Sequence, residues 1–185
     1  MKSDITAQVA LLRSTGAQRR TLLRLLVVLG AAGLGTEHAR ADERTELLVT
    51  IDDQPPRRFT LNLLKAMPQQ EAEVKLRSGA IQRWKGVPVT QILKASGLDL
   101  ASNLGGGYVS RRVLAARAHD GYAAAFGLAE VDPRFGRQVP IVAWQEAEGA
   151  DLPTHRGPLM LIVPEDARGS RGVRQLQSLE VMSLK

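Results

Sequence analysis

The sequence predicts an α+β fold in which mixed β-sheets carry a few short helices. Short apolar and β-branched runs recur along the chain, as strands do. Only two or three stretches carry helical spacing, and all are short. Clusters of Gly, Pro, Asn and Asp separate the runs, and neither an internal repeat nor a low-complexity tract interrupts them.

In chain order, Glu46-Leu47-Leu48-Val49-Thr50-Ile51 reads as a first strand, and Asp52-Asp53-Gln54-Pro55-Pro56 as a turn. Thr60 suits the N-cap of a short helix running through Lys65 and stopped by Pro68. Val74-Lys75-Leu76 alternates like a strand. Trp84-Lys85-Gly86-Val87-Pro88 reads as a turn into a helix from Val89 to Ser96. That helix places Val89, Ile92 and Leu93 on one face, and Gly97 ends it. Asn103-Leu104-Gly105-Gly106-Gly107 reads as a connector, because a phosphate-binding loop needs a lysine and a helix directly after it. Val113 to Ala118 and Tyr122 to Phe126 read as a hairpin about His119-Asp120-Gly121. Pro140 to Trp144 and Leu159 to Val163 are further strands. Val173 to Leu176 and Ser178 to Met182 form a strand pair or a turn into a last strand.

The net charge of +6 invites a nucleic-acid partner. Its distribution argues against one. Residues 1–41 hold six of the 25 basic residues and two of the 19 acidic ones, so residues 42–185 carry 19 basic and 17 acidic side chains. No basic stripe interleaved with aromatics follows. The chain has no cysteine, which removes disulfides, thiolate metal ligands and a cysteine nucleophile. The three histidines show no metal-ligand spacing, and no nucleophile elbow marks a hydrolase.

The basic segment has the three parts of an export signal. Arg19-Arg20-Thr21-Leu22-Leu23-Arg24 precedes an apolar run from Leu25 to Leu34, and Ala39-Arg40-Ala41 supplies a small-residue cleavage site. The paired arginines resemble a twin-arginine signal; general secretory export and an uncleaved anchor are the alternatives. The apolar run is short for a membrane span, which needs about 20 residues. The expectation is a signal at 1–41 and a single periplasmic domain at 42–185, touching the membrane only through that signal.

From Val74 onward the order of pieces resembles the molybdopterin-binding domain of the sulfite oxidase family. Trp84-Lys85-Gly86-Val87-Pro88-Val89 is followed by Ile92-Leu93, then Ala118-His119-Asp120-Gly121-Tyr122. Leu152-Pro153, His155-Arg156-Gly157-Pro158-Leu159 and Leu161-Ile162-Val163-Pro164 come next. Gly172-Val173-Arg174 then leads into Leu179-Glu180-Val181. The resemblance implies that fold and a cofactor pocket, with two departures. The family's metal-binding cysteine falls near Arg77, a permanent cation with no lone pair to donate, and neighbouring Ser78 is a hard oxygen. The family's cofactor-binding arginine falls at Met160. His155 and Arg174 stand where family members contact the cofactor, and either could hold an anion. Trp84 falls near the pocket and is also suited to a core.

The candidate binding residues are therefore Arg77, Trp84, His155 and Arg174, with no catalytic or metal-ligating residue. Arg77 either favours an anionic ligand or closes a vestigial pocket by pairing with an acid. His155 is a ligand contact or a surface turn residue, and His119 reads as structural. Arg168, Arg171 and Arg174, spaced by Gly169 and Gly172, form a solvated loop or an anion-binding lip. The functional expectation is a periplasmic anion-binding or accessory module without a resident cofactor, its partner a small anion or a periplasmic protein. The alternative is a molybdopterin-dependent oxidoreductase that binds its cofactor without a thiolate. A purely structural role is the third reading.

Overall fold

Alternation of side chains in β1 (Glu46–Ile51) sets the first sheet, with Leu47, Val49 and Ile51 buried and the residues between them half-exposed. The computed structural model describes residues 45–102, 104–136, 139–164, 166 and 171–184. They lie within one compact unit, Arg44–Lys185. The export signal, its cleavage site, Asn103, Arg168 and Gly169 fall outside the described residues.

β1 pairs antiparallel with β2 (Arg57–Thr60) and parallel with β9 (Leu176–Ser183). β9 also pairs with β5 (Arg112–Ala118), whose hairpin partner is β6 (Ala123–Gly127). This five-stranded sheet runs β2-β1-β9-β5-β6. A second, four-stranded antiparallel sheet runs β3-β4-β7-β8, formed by Gln70–Lys75, Ile81–Pro88, Ile141–Glu146 and Met160–Ile162. The helices are short: α1 (Leu61–Ala66), α2 (Val89–Ala95), α3 (Gly106–Ser110) and α4 (Leu128–Val131). None among the described residues is long and apolar enough to cross a membrane.

The local signals explain most boundaries. The Thr60 hydroxyl accepts from the Leu63 N–H at 3.3 Å and caps α1. Gly97, at φ +99, ends α2, whose buried face is Val89, Ile92 and Leu93 as the spacing predicts. Gly121, at φ +89, turns the β5–β6 hairpin, where the Asp120 carboxylate accepts from the Tyr122 N–H at 2.9 Å.

Two expectations are corrected. Trp84 to Pro88 is the second half of strand β4, not a turn. Gly86 is there for close approach: a Cβ at that position would sit 2.3 Å from the Val142 carbonyl oxygen of β7. The glycine loop is not wholly a connector, because Gly106–Ser110 closes into α3. At the C-terminus the second of the two readings, a turn into a last strand, is the one observed: Val173 makes an isolated bridge to Leu161, and the strand β9 begins at Leu176.

The main core lies between the two sheets and collects Leu47, Val49, Leu114 and Leu179 with Val87, Val142, Trp144 and the buried face of α2. β7 is buried on both faces. Val142 and Trp144 face the main core, while Ile141 and Ala143 join a separate cluster with Ala72, Trp84 and Ile162. That lesser cluster lies on the other face of the four-stranded sheet, where Val74, Leu152 and Met160 pack against it.

Candidate functional site

The lesser cluster opens into a cleft of about 160 Å³. β3 and the residue after it bring Val74 and Leu76 to it, β4 brings Gln82 and Trp84, and β8 brings Met160 and Ile162. Trp84 is 2% exposed and forms part of the apolar wall.

Two connecting segments supply the cations. The Pro153–Gly157 turn is closed by Arg156 and Gly157 N–H groups donating to the Pro153 carbonyl at 2.8 and 2.9 Å, and it carries Arg156. Gly172–Arg174 is pinned beside β8 by paired backbone bonds between Leu161 and Val173, at 2.8 and 3.1 Å. The segments are tied together at Gln175. Its N–H donates to the Arg156 carbonyl at 2.8 Å and its side-chain amide to the Thr154 carbonyl at 3.2 Å. Gln175 holds a left-handed φ of +49 to do so, a conformation that costs a non-glycine residue energy. The scaffold thus fixes two arginines on one rim by main-chain bonds, and neither guanidinium makes an ion pair with a described residue.

Among the described residues no acidic side chain lines the cleft, whereas Arg156 and Arg174 both do. The Arg156 Nε is enclosed and has no hydrogen-bond partner among the described residues. An enclosed donor left unpaired costs about 1–3 kcal/mol, and more when it belongs to a charged group. Arg174 is exposed and makes no ion pair with the described residues. Gln82 is engaged, its amide donating to Glu146 at 2.8 Å. The site is a small apolar slot with a net positive rim, an arrangement suited to an anion.

The sequence-predicted residues divide between this cleft and the solvent. Trp84, Met160 and Arg174, separate in the chain, come together in it. Arg77 does not join them: it is exposed in the β3–β4 turn, and Leu76 is the residue of that turn lining the cleft. The physical reason is the tight turn closed by the Gly79 N–H on the Leu76 carbonyl at 2.9 Å, with Gly79 at φ +87. His155 is exposed in the Pro153–Gly157 turn, and its neighbour Arg156 takes the place at the cleft. Arg156 lines the cleft without having been singled out in the sequence. Its signal was its position inside the His155-Arg156-Gly157-Pro158 piece, where only the histidine drew a role.

A larger cleft of about 450 Å³ lies by α4, lined in part by Phe126, Phe135 and Val163. Its charges are mutually committed. Arg171 donates to Asp166 at 2.6 Å and to Glu130 at 2.8 Å, and its guanidinium lies 4.9 Å from the Phe126 ring centroid. The Arg171 bond and the Gly127 N–H hold the Glu130 carboxyl below the usual carboxylate range. This polar set clasps α4 to the segment after β8, and it presents no uncommitted group.

A family model, the oxidoreductase molybdopterin-binding domain, matches residues 35–185. The chain belongs to this family. Among solved structures, the sulfane dehydrogenase SoxCD from Paracoccus pantotrophus is similar, with a TM-score of 0.57 at 16% identity. The match covers 75% of this chain and 39% of that one, so it speaks for the fold, and this chain spans well under half of that protein's length. No curated protein matches the chain.

The family's cofactor can be tested against the cleft. Molybdenum in this family takes a thiolate, and this chain contains no cysteine. No cluster of three His, Cys, Asp or Glu residues among the described residues replaces it. The cleft's 160 Å³ also falls short of the roughly 300 Å³ at which sites for larger organic ligands begin. The residues present do not fit the molybdenum centre.

Proposed function

We propose that this member of the molybdopterin-binding domain family is an exported anion-binding or accessory module. Its cleft holds a small anion where relatives hold a metal cofactor. The observation that carries this reading is the cleft's charge among the described residues: two guanidiniums on the rim, no acid in the lining, and one enclosed guanidinium donor without an acceptor. An anion would supply that acceptor and relieve the cost of leaving it unpaired. The export-signal pattern in residues 1–41 supports a periplasmic setting. The second reading, a cofactor held without a thiolate in a molybdopterin-dependent oxidoreductase, is favoured by the family membership alone.

Metal analysis and a visible spectrum of the purified protein separate the two. The anion-binding reading expects metal-free, colourless protein that is stabilised against heat by small anions. Stoichiometric molybdenum, or the absence of stabilisation by every anion among sulfate, phosphate and short carboxylates, overturns it.

A further inference from the structure

We infer that the cleft's ligand is a small organic monocarboxylate with a branched apolar body, gripped by Arg156. This deepens the reading above and rests on it. Three features narrow the anion. The first is the wall: Leu76, Trp84, Met160 and Ile162 offer hydrocarbon and an indole, which an inorganic oxyanion cannot use. Sulfate or phosphate seated there would exchange its hydration shell for apolar contact, so the wall disfavours them.

The second is size. At about 160 Å³ the cleft is roughly half the ~300 Å³ at which sites for larger organic ligands begin, so it suits a compact body. A compact branched acid fills such a slot, while a pterin or nucleotide overfills it.

The third is the gripping group. Arg156 is half-buried and lines the cleft, and its enclosed Nε, unpaired among the described residues, lies behind its terminal amino groups along the side chain. A carboxylate meets those terminal groups first. A rotation of the side chain's last torsions then brings Nε–H onto the second oxygen, giving the side-on, two-point bond that a planar carboxylate matches. Arg174, exposed on the rim, attracts the anion without enclosing it, so its share is screened by salt. Arg156 thus decides affinity, and Arg174 mainly the rate of capture.

The test uses the purified protein with sodium isovalerate (3-methylbutanoate), neutral isovaleramide and sodium sulfate at matched ionic strength. Isovalerate is expected to bind with a Kd on the order of 1 mM and to raise the melting temperature by about 4 °C at tenfold that concentration. Isovaleramide and sulfate are expected to bind at least tenfold more weakly. Arg156→Gln should weaken isovalerate about tenfold to a hundredfold, and Arg174→Gln less than about fivefold. Nitrogen-15 NMR provides a second readout on the unmutated protein: one arginine Nε–H resonance, absent from Arg156→Lys, should move with isovalerate and stay with the amide. Sulfate binding as tightly as isovalerate, full affinity in Arg156→Gln, or an unmoved Arg156 resonance overturns this inference and leaves the broader anion reading standing. Stoichiometric molybdenum in the protein overturns that broader reading and this inference together.

Discussion

Replacing Gly86 with alanine adds one methyl group where β4 presses on β7. An ideal Cβ there lies 2.3 Å from the Val142 carbonyl oxygen, 2.8 Å from its carbon and 3.0 Å from the Ala143 Cα. All three are main-chain atoms of a strand buried on both faces, so none can swing aside. Restoring ordinary contact requires the two strands to part locally by about 1 Å, a gap that forfeits a quarter to a half of each affected dispersion contact. Overpacking of this kind costs about 1–3 kcal/mol, and strained strand-pair hydrogen bonds add about 1 kcal/mol. The expected loss is therefore about 2–4 kcal/mol, against a total stability of about 5–15 kcal/mol for such a domain. Gly105→Ala is the control, since a Cβ there meets nothing within 4 Å and φ is −56; it should shift stability by less than about 1 kcal/mol. Urea unfolding followed by the fluorescence of buried Trp84 and Trp144 reads both variants on one scale. A Gly86→Ala protein within 1 kcal/mol of the parent, at unchanged m-value, would refute the close-approach argument.

Asp132 is fully buried and accepts from the Arg134 guanidinium at 2.7 Å and from the Arg134 N–H at 2.9 Å. Those bonds hold its carboxyl below the usual range, so its contribution is whole above about pH 4 and is lost as pH falls through the lowered folded value. Asp132→Asn should cost about 2–3 kcal/mol at neutral pH and flatten the acid limb of the stability profile, measured by urea titration between pH 2 and 7. In the Arg171 clasp, Asp166→Asn should destabilise more than Glu130→Gln. The Asp166 side chain is 10% exposed and the Glu130 side chain 53%, so about 2 kcal/mol against less than about 1 is expected by calorimetry. Thr60→Ala, which removes the α1 cap, should cost about 0.5–1 kcal/mol in the same assay.

How far the sequence revealed the fold depended on whether a signal was local. The buried face of α2, the Thr60 cap and the hairpin about Asp120-Gly121 are set by neighbours a few residues apart, and all three appear as the spacing predicts. Gly86 misled because a glycine serves a tight turn and a close strand crossing equally well, and only Val142, 56 positions away, distinguishes them. β2 escaped notice because Arg57-Arg58-Phe59-Thr60 buries a single side chain, Phe59. The cleft was half legible. Trp84 and Arg174 could be placed through the ordered pieces of the family resemblance. Arg156, by contrast, stands out through its place in the cleft lining and its enclosed nitrogen, which no linear pattern encodes. Arg77 carried the most suggestive chemistry in the sequence, yet a two-residue turn leaves it in solvent.

β7 divides the interior into compartments of unequal weight. The larger, on the Val142 and Trp144 side, joins the two sheets; the smaller, on the Ile141 and Ala143 side, backs the cleft. Substitutions at Met160 or Leu76 therefore alter the slot's shape and polarity without touching the seam that keeps the sheets joined. A lineage could lose a metal and acquire a different ligand through changes confined to the lesser compartment, with the scaffold's integrity carried throughout by the other side of one strand.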